Sequence, residues 1–271
     1  MAETGIEWTD VTWNPATGCT KVSAGCKNCY ADALARRLQA MGNVRYRNGF
    51  ELTLHPDKVG DPYRWREPKR VFVNSMSDLL HRDIPTGFIV DVFRTMVETP
   101  RHTYQVLTKR PERWAEIDEA VVSRWGRWPT NVWPGATVEH RQSLPRLAEL
   151  AMAGDERTVR MVSAEPLLES LAYRTATKWV DEQGEGISAL AALLRDARIG
   201  WVITGGEAGW NARPAHLDWF REVRDACAEA GVAFFHKQHG GVGVTKKAKS
   251  GGEDALLDGL MHHAWPRVSV M

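Results

Sequence analysis

Apolar residues gather along the chain into short runs that end in polar or glycine-containing turns, and amphipathic segments follow them. The clearest runs are Arg70–Met76, Thr103–Leu107, Asn131–Val138, Thr158–Val162, Gly200–Thr204 and Gly231–Phe235. Two weaker ones precede them, Val11–Asn14 and Glu51–Leu54. Near-continuous apolar runs of this length suit parallel strands buried on both faces. The intervening segments repeat their apolar residues at helical spacing. Tyr30, Leu34, Leu38 and Met41 form one stripe, and Phe88, Ile89, Val92, Phe93, Met96 and Val97 a cleaner one. Trp114, Ile117 and Val121, then Leu144, Leu147 and Leu150, then Ile187, Leu190 and Leu194, and finally Leu217, Phe220 and Val223 continue the series. Strand and helix therefore alternate seven or eight times. That pattern predicts an α/β fold, a full or partial (β/α) barrel of seven or eight mainly parallel strands. An open doubly wound sheet is the competing arrangement.

One domain with decorations is expected. Residues 1–240 form the barrel, interrupted by a polar insertion at Glu169–Gly186. Gly240–Gly252, rich in glycine and lysine, reads as a flexible loop. Residues 241–271 form a C-terminal extension whose Leu256, Leu257, Leu260 and Trp265 pack on or near the barrel.

Composition narrows the class. Of 271 residues, 43% are hydrophobic and 25% charged, the balance of an ordinary globular protein. The formal net charge of +1 gives no bulk attraction to nucleic acid. No run of 18 apolar residues appears, so no membrane span is expected. The first ten residues are polar and acidic, unlike a secretory signal, which predicts a cytoplasmic protein. In that compartment thiols stay reduced, so four cysteines point to metal binding or chemistry before disulfides.

Three of the four cysteines lie within eleven residues, as Cys19-x6-Cys26-x2-Cys29, between the first strand and the first helix. Loops at the C-terminal ends of barrel strands carry the active sites of such folds. Gly18 and Gly25 each precede a cysteine, where glycine lets the backbone turn around a bulky group. Three thiolates can hold three irons of a 4Fe-4S cluster and leave the fourth open. A structural zinc site would need a fourth protein ligand, with His55, His81 and His236 as candidates, and uncoordinated thiols are the third alternative. Cys227 falls on an apolar helical stripe and reads as a small buried hydrophobe.

The cysteine segment, ending in Tyr30, resembles the motif of a phage-associated family of three-cysteine proteins that looks like a divergent branch of the radical-SAM superfamily. The resemblance continues through Ile6-Glu-Trp-Thr-Asp10, Trp13-Asn-Pro15, Val73-Asn-Ser-Met-Ser-Asp78, Gln105-Val-Leu-Thr-Lys-Arg-Pro111, Val162-Ser-Ala-Glu-Pro-Leu167, Gly205-Gly-Glu207, Ala212-Arg-Pro214 and Lys237-Gln238. It departs from the usual radical-SAM spacing, C-x3-C-x2-C, in its first gap. It implies a radical-SAM-like enzyme with Cys19, Cys26 and Cys29 on a 4Fe-4S cluster and S-adenosylmethionine as second cofactor. An electron donor and a three-Cys-motif partner protein are the implied partners. The phage association adds a nucleic acid or nucleotide as substrate.

A barrel enzyme keeps its chemistry at strand C-termini. The strand ends here carry Ser75, Asp78, Thr108, Glu139, Ser163, Glu165, Gly205, Gly206 and Glu207, which are the candidates for holding S-adenosylmethionine. Lys109, Arg110, Arg213 and Lys237 are the candidates for a substrate phosphate. Ser77 and Asp78 could instead cap the following helix, and Pro111 could begin one. Two rival readings remain open at this point. One is a nucleic-acid-binding or defence protein stabilised by zinc or a structural cluster, without radical chemistry. The other is a cluster that senses redox state. No phosphate-binding Walker sequence and no H-E-x-x-H is present.

Overall fold

A computed structural model describes residues 4–172, 179–180, 186–242 and 252–267. Seven strands make the main sheet: β1 (Val11–Trp13), β2 (Arg70–Val73), β3 (Thr103–Thr108), β4 (Val132–Thr137), β5 (Arg160–Ala164), β6 (Ile199–Gly205) and β7 (Ala233–Gln238). β4 and β5 are buried at every position, as the near-continuous apolar runs predict for strands covered on both faces. β1 pairs in parallel with β2, β2 with β3, β5 with β6, and β6 with β7. The hydrogen-bonded order is β1-β2-β3-β4-β5-β6-β7, the same as the order along the chain. A doubly wound sheet reverses direction at a switch point, and this one does not. The fold is therefore α/β with the topology of a partial (β/α) barrel.

Contacts divide the chain into two compact units. The first holds Met1–Gly135 and Met152–Thr158, the second Ala136–Ala151 and Val159–Met271, so β4 runs across the boundary. In the first unit the connections are α1 (Tyr30–Ala40), α2 (Thr86–Glu98) and α3 (Trp114–Trp125). α2 buries Ile89, Val92, Phe93 and Met96, the stripe expected of it. α3 buries Trp114, Ile117 and Val121 and stops at Gly126, whose φ of 77° is the left-handed stop that glycine supplies cheaply. In the second unit they are α4 (Arg146–Leu150), α5 (Ala189–Asp196) and α6 (Leu217–Ala230). α5 is capped by the Ser188 side chain, which accepts from the Ala191 N–H. Cys227 is fully buried on α6 beside Val223. The C-terminal residues return to β7: His236 N–H donates to the His262 carbonyl and Ala264 N–H to the Phe234 carbonyl.

Three expectations change. Thr53–Leu54 does form a strand, but it pairs antiparallel with Ala16–Thr17 outside the main sheet, where both residues are only half-buried. The run Arg70–Met76 stops as strand at Val73, because Asn74 turns to a φ of 60° and leaves the extended region. Of the stripe Tyr30, Leu34, Leu38 and Met41, only Leu38 packs inward, partly buried; the other three are exposed, and the residues that α1 fully buries are Ala31 and Ala35, set against Tyr46 and Met76. The small alanines allow the close approach, and of the large stripe residues Leu38 alone joins them. Most of Gly240–Gly252, and residues 173–178 and 181–185 of the polar insertion, lie outside the described residues.

Candidate metal centre at the end of β2

The three-cysteine loop rests on the turn that leaves β2. Gly18 N–H donates to the Met76 carbonyl at 2.9 Å, and Gly18 bridges Ser77 as a one-residue parallel ladder. Cys19 N–H donates to the Phe50 carbonyl at 3.1 Å. Gly18 has a φ of 81°, and a Cβ there would meet the Phe50 and Glu51 carbonyls, so both conformation and space require glycine. Cys26 closes a single 3-10 turn, Ala24–Cys26, and Cys29 is the N-cap of α1. The Tyr30 hydroxyl then donates to the Ser75 carbonyl at 2.5 Å, tying the start of α1 to the same turn. Ser75 exchanges hydrogen bonds with the Asn14 carboxamide, whose Oδ1 also accepts from Met76 N–H. All four cysteines are free thiols.

The end of β3 supplies the charge. Asp78 is buried and accepts from the Thr108 hydroxyl at 2.6 Å, from Lys109 N–H at 3.1 Å and from Leu80 N–H at 3.0 Å. Its main partner is Arg110, also buried, at 3.0 Å. Arg110 continues past Asp78 into the loop. It donates to the Cys19 Sγ at 3.5 Å and to the Thr20 carbonyl and hydroxyl at 2.9 and 2.8 Å. The Thr20 hydroxyl in turn meets His81 Nε2 at 2.8 Å. Asp78 therefore turns its own loop and anchors Arg110, and α2 starts instead after Pro85. Pro111 does begin a helical turn, the 3-10 segment Pro111–Arg113.

The two inner thiols sit in different fields. Burial, with the Asp78 carboxylate behind it, pushes the Cys19 thiol up to about 11 against the opposing pull of Arg110. Burial also acts against Cys26, but hydrogen bonds from Val22 and Ser23 and the charge of Lys109 leave it below the ordinary thiol value. Burial and the Arg110 charge hold His81 below the ordinary imidazole value. Among the described residues, no three His, Cys, Asp or Glu side chains stand together as ligands of one ion. The donor set instead suits a cluster, in which each thiolate takes its own iron. Three soft, unpaired donors on one loop, with two cationic side chains acting on them, match the net negative charge of a thiolate-bound cluster.

In the second unit the strand-end candidates are engaged within the chain. Glu139 is fully buried and paired with Arg146 at 2.7 Å, and Lys237 pairs with Glu165. Glu207 accepts from Arg213 at both oxygens. Ser163 is buried and its carbonyl accepts from Val138 N–H. The Gly206 N–H, expected to face a ligand, donates to the Gln238 carbonyl at 2.9 Å, and a Cβ at Gly206 would run into the His239 carbonyl. A Cβ at Gly205 would come within 3.1 Å of the Glu165 side chain. These glycines serve the close packing of β6 against its surroundings. Of the four phosphate candidates, Arg110, Arg213 and Lys237 thus have their charges matched by carboxylates within the chain.

Sequence reasoning named His81 only as a possible zinc ligand and Asn14 only within a motif, and it missed Thr20; their hydrogen bonds to this site have no spacing that marks them. Tyr30 was visible only as the end of the motif. Fold and site together define an α/β protein with a thiol-bearing loop at a strand end of its parallel sheet. The chain belongs to the family described as "Protein of unknown function (DUF5131)", whose model matches residues 3–266. No curated protein matches it. Among solved structures it is similar to "Spore photoproduct lyase complexed with dinucleoside spore photoproduct", at 15% identity and a TM-score of 0.43. That likeness covers 78% of this chain and 58% of the lyase, so the chain spans under two thirds of the lyase's length. At this identity the lyase's chemistry does not carry over. Among the described residues, no helix is long and apolar enough to cross a membrane.

Proposed function

We propose that this chain is an iron–sulfur enzyme of the radical-SAM type, with Cys19, Cys26 and Cys29 each giving one thiolate to a 4Fe-4S cluster. The observation that supports it most is the seating of the cysteine loop. Three unpaired thiols stand on the C-terminal turn of a parallel strand, with Arg110 hydrogen-bonded to one of them. Ligand sites of α/β folds lie at that end of the sheet. A cluster held there, once reduced by an external electron donor, would supply the one electron that splits S-adenosylmethionine into methionine and a deoxyadenosyl radical able to abstract hydrogen from substrate.

The protein's part is to hold and shield. Gly18 gives the turn that presents Cys19, and Tyr30 pins the start of α1 to the Ser75 carbonyl. Arg110, itself fixed by Asp78 and Thr108, sets the position of Cys19 and offsets negative charge on it. Ser75, whose carbonyl holds Tyr30, and Lys109, whose charge acts on Cys26, are the strand-end groups we assign to the remaining cofactor atoms.

Anaerobic reconstitution tests this. The protein should bind about four irons and four sulfides per chain, turn brown, bleach under dithionite and form 5′-deoxyadenosine from S-adenosylmethionine. Alanine at Cys19, Cys26 or Cys29 should remove colour and product, whereas Cys227→Ala should keep both. A colourless zinc-loaded protein, or an intact reducible cluster that forms no 5′-deoxyadenosine, refutes the assignment.

A further inference from the structure

One residue at the end of β2 has no task in the site described above. Asn74 has a backbone in full use: its N–H donates to the Trp13 carbonyl at 2.8 Å, and its carbonyl accepts from Ser77 N–H at 3.2 Å. Its side chain is 1% exposed, and neither Oδ1 nor Nδ2 has a hydrogen-bond partner among the described residues. The next strand repeats the pattern in part. Gln105, in register with Phe72, gives its Nε2 to the Trp8 carbonyl at 3.0 Å and leaves Oε1 buried without a partner. Folded chains pair nearly all buried polar groups, because an unpaired one keeps its full desolvation cost. Asn74 carries two such atoms on a left-handed backbone, two residues before the carbonyl that receives Gly18.

A carboxamide offers one acceptor and one donor side by side in a plane. Its complement is a planar group with a donor beside an acceptor. The adenine edge, with its N6 amino group beside N7, is the nucleobase edge that asparagine meets with two hydrogen bonds. We propose that Asn74 binds the adenine edge of a nucleoside ligand seated at the C-terminal end of β2, next to the cysteine loop, its buried amide being uncovered as the ligand enters. This rests on the preceding reading for the ligand's identity, with S-adenosylmethionine as the first candidate and an adenine nucleotide as the other source of the same edge.

Calorimetry on the full chain, as purified and after reconstitution, tests it with S-adenosylmethionine, adenosine, ATP and inosine as probes. Inosine replaces the N6 donor with a carbonyl. Wild type should bind adenosine and S-adenosylmethionine and take inosine about tenfold or more weakly. Tighter binding of S-adenosylmethionine than of ATP names the former as the source, and the reverse order names a nucleotide. Asn74→Gly keeps the left-handed backbone. It should lose about tenfold in adenosine affinity and most of the adenosine-over-inosine preference, while its unliganded form melts at or above the wild-type temperature. If Asn74→Gly does not fold, Asn74→Asp reports the same loss, since it puts an acceptor against N7. The proposal falls if wild type binds neither adenosine nor S-adenosylmethionine in either preparation. It also falls if the variants keep wild-type affinity and preference, which would mean that a buried water satisfies the amide. A missing 5′-deoxyadenosine product with the base preference intact sinks the radical reading alone. Product formation with unchanged binding in the variants sinks Asn74 alone.

Discussion

At the scale of single residues, Arg110 and Asp78 show how a buried pair ties a functional loop to a strand end. Each is nearly inaccessible, and each has further partners: Thr108, Lys109 N–H and Leu80 N–H for the carboxylate, Thr20 and Cys19 for the guanidinium. Removing one partner leaves the other charged, buried and unpaired, so Arg110→Gln should cost about 3–5 kcal/mol of folding stability. Asp78→Asn in the same chain should recover part of that loss. Urea unfolding of the two single variants and the double variant measures both numbers. A single-variant cost below about 1 kcal/mol would show that the pair is open to solvent. The cysteines, Asp78 and Arg110 were legible in the sequence as residue types at strand ends. The bond from Arg110 to Cys19 was not, because it joins positions 91 apart and depends on the register of two strands.

At the scale of elements, the alternation of runs and stripes foretold the strands well, since a strand buried on both faces needs apolar residues throughout. It did less well wherever the backbone departs from a regular period. Asn74 ends β2 three residues before the apolar run does. On α1, hydrophobicity marked four large residues, whereas packing selected Ala31 and Ala35 and kept only Leu38 of the four beside them. Glycines divide in the same way between those the fold needs and those it tolerates. Gly18→Ala would set a methyl group against the Phe50 and Glu51 carbonyls at positive φ, and Gly206→Ala would set one against the His239 carbonyl. Each should lower stability by about 1–3 kcal/mol. Gly87, in the first turn of α2 with open space around it, is the contrast, and Gly87→Ala should gain about 0.5–1 kcal/mol. Thermal melts of the three variants check the signs, and a stabilised Gly206→Ala would contradict the packing described for β6.

For the molecule as a whole, acid is the expected weakness. His236 is fully buried against Phe220 and Phe234, and burial, joined by the neighbouring His239, His262 and His263, pushes it down to about 3. His55, His81, His102, His239 and His263 are lowered in the same direction, chiefly by burial. A histidine held neutral in the fold takes up its proton more readily in the unfolded chain. Its stabilising effect is therefore complete above the unfolded value of about 6.5 and is lost as pH falls from there toward 3. His236 alone should remove about 1 kcal/mol of stability per pH unit across that window. Urea midpoints should drop between pH 7 and pH 5, and the slope should be shallower in His236→Phe. Equal slopes in the two proteins would refute this account.

The strand order has a consequence for how the chain is made. Every strand of the main sheet lies beside the strands that come just before and just after it in the sequence. Each newly synthesised strand thus finds the edge it needs already exposed and waiting, and no strand must be inserted between two that have already joined. The sheet can grow from the amino end as the ribosome delivers it. The cysteine loop is among the first pieces delivered, and its seat on β2 follows some fifty residues later, long before the last strand emerges.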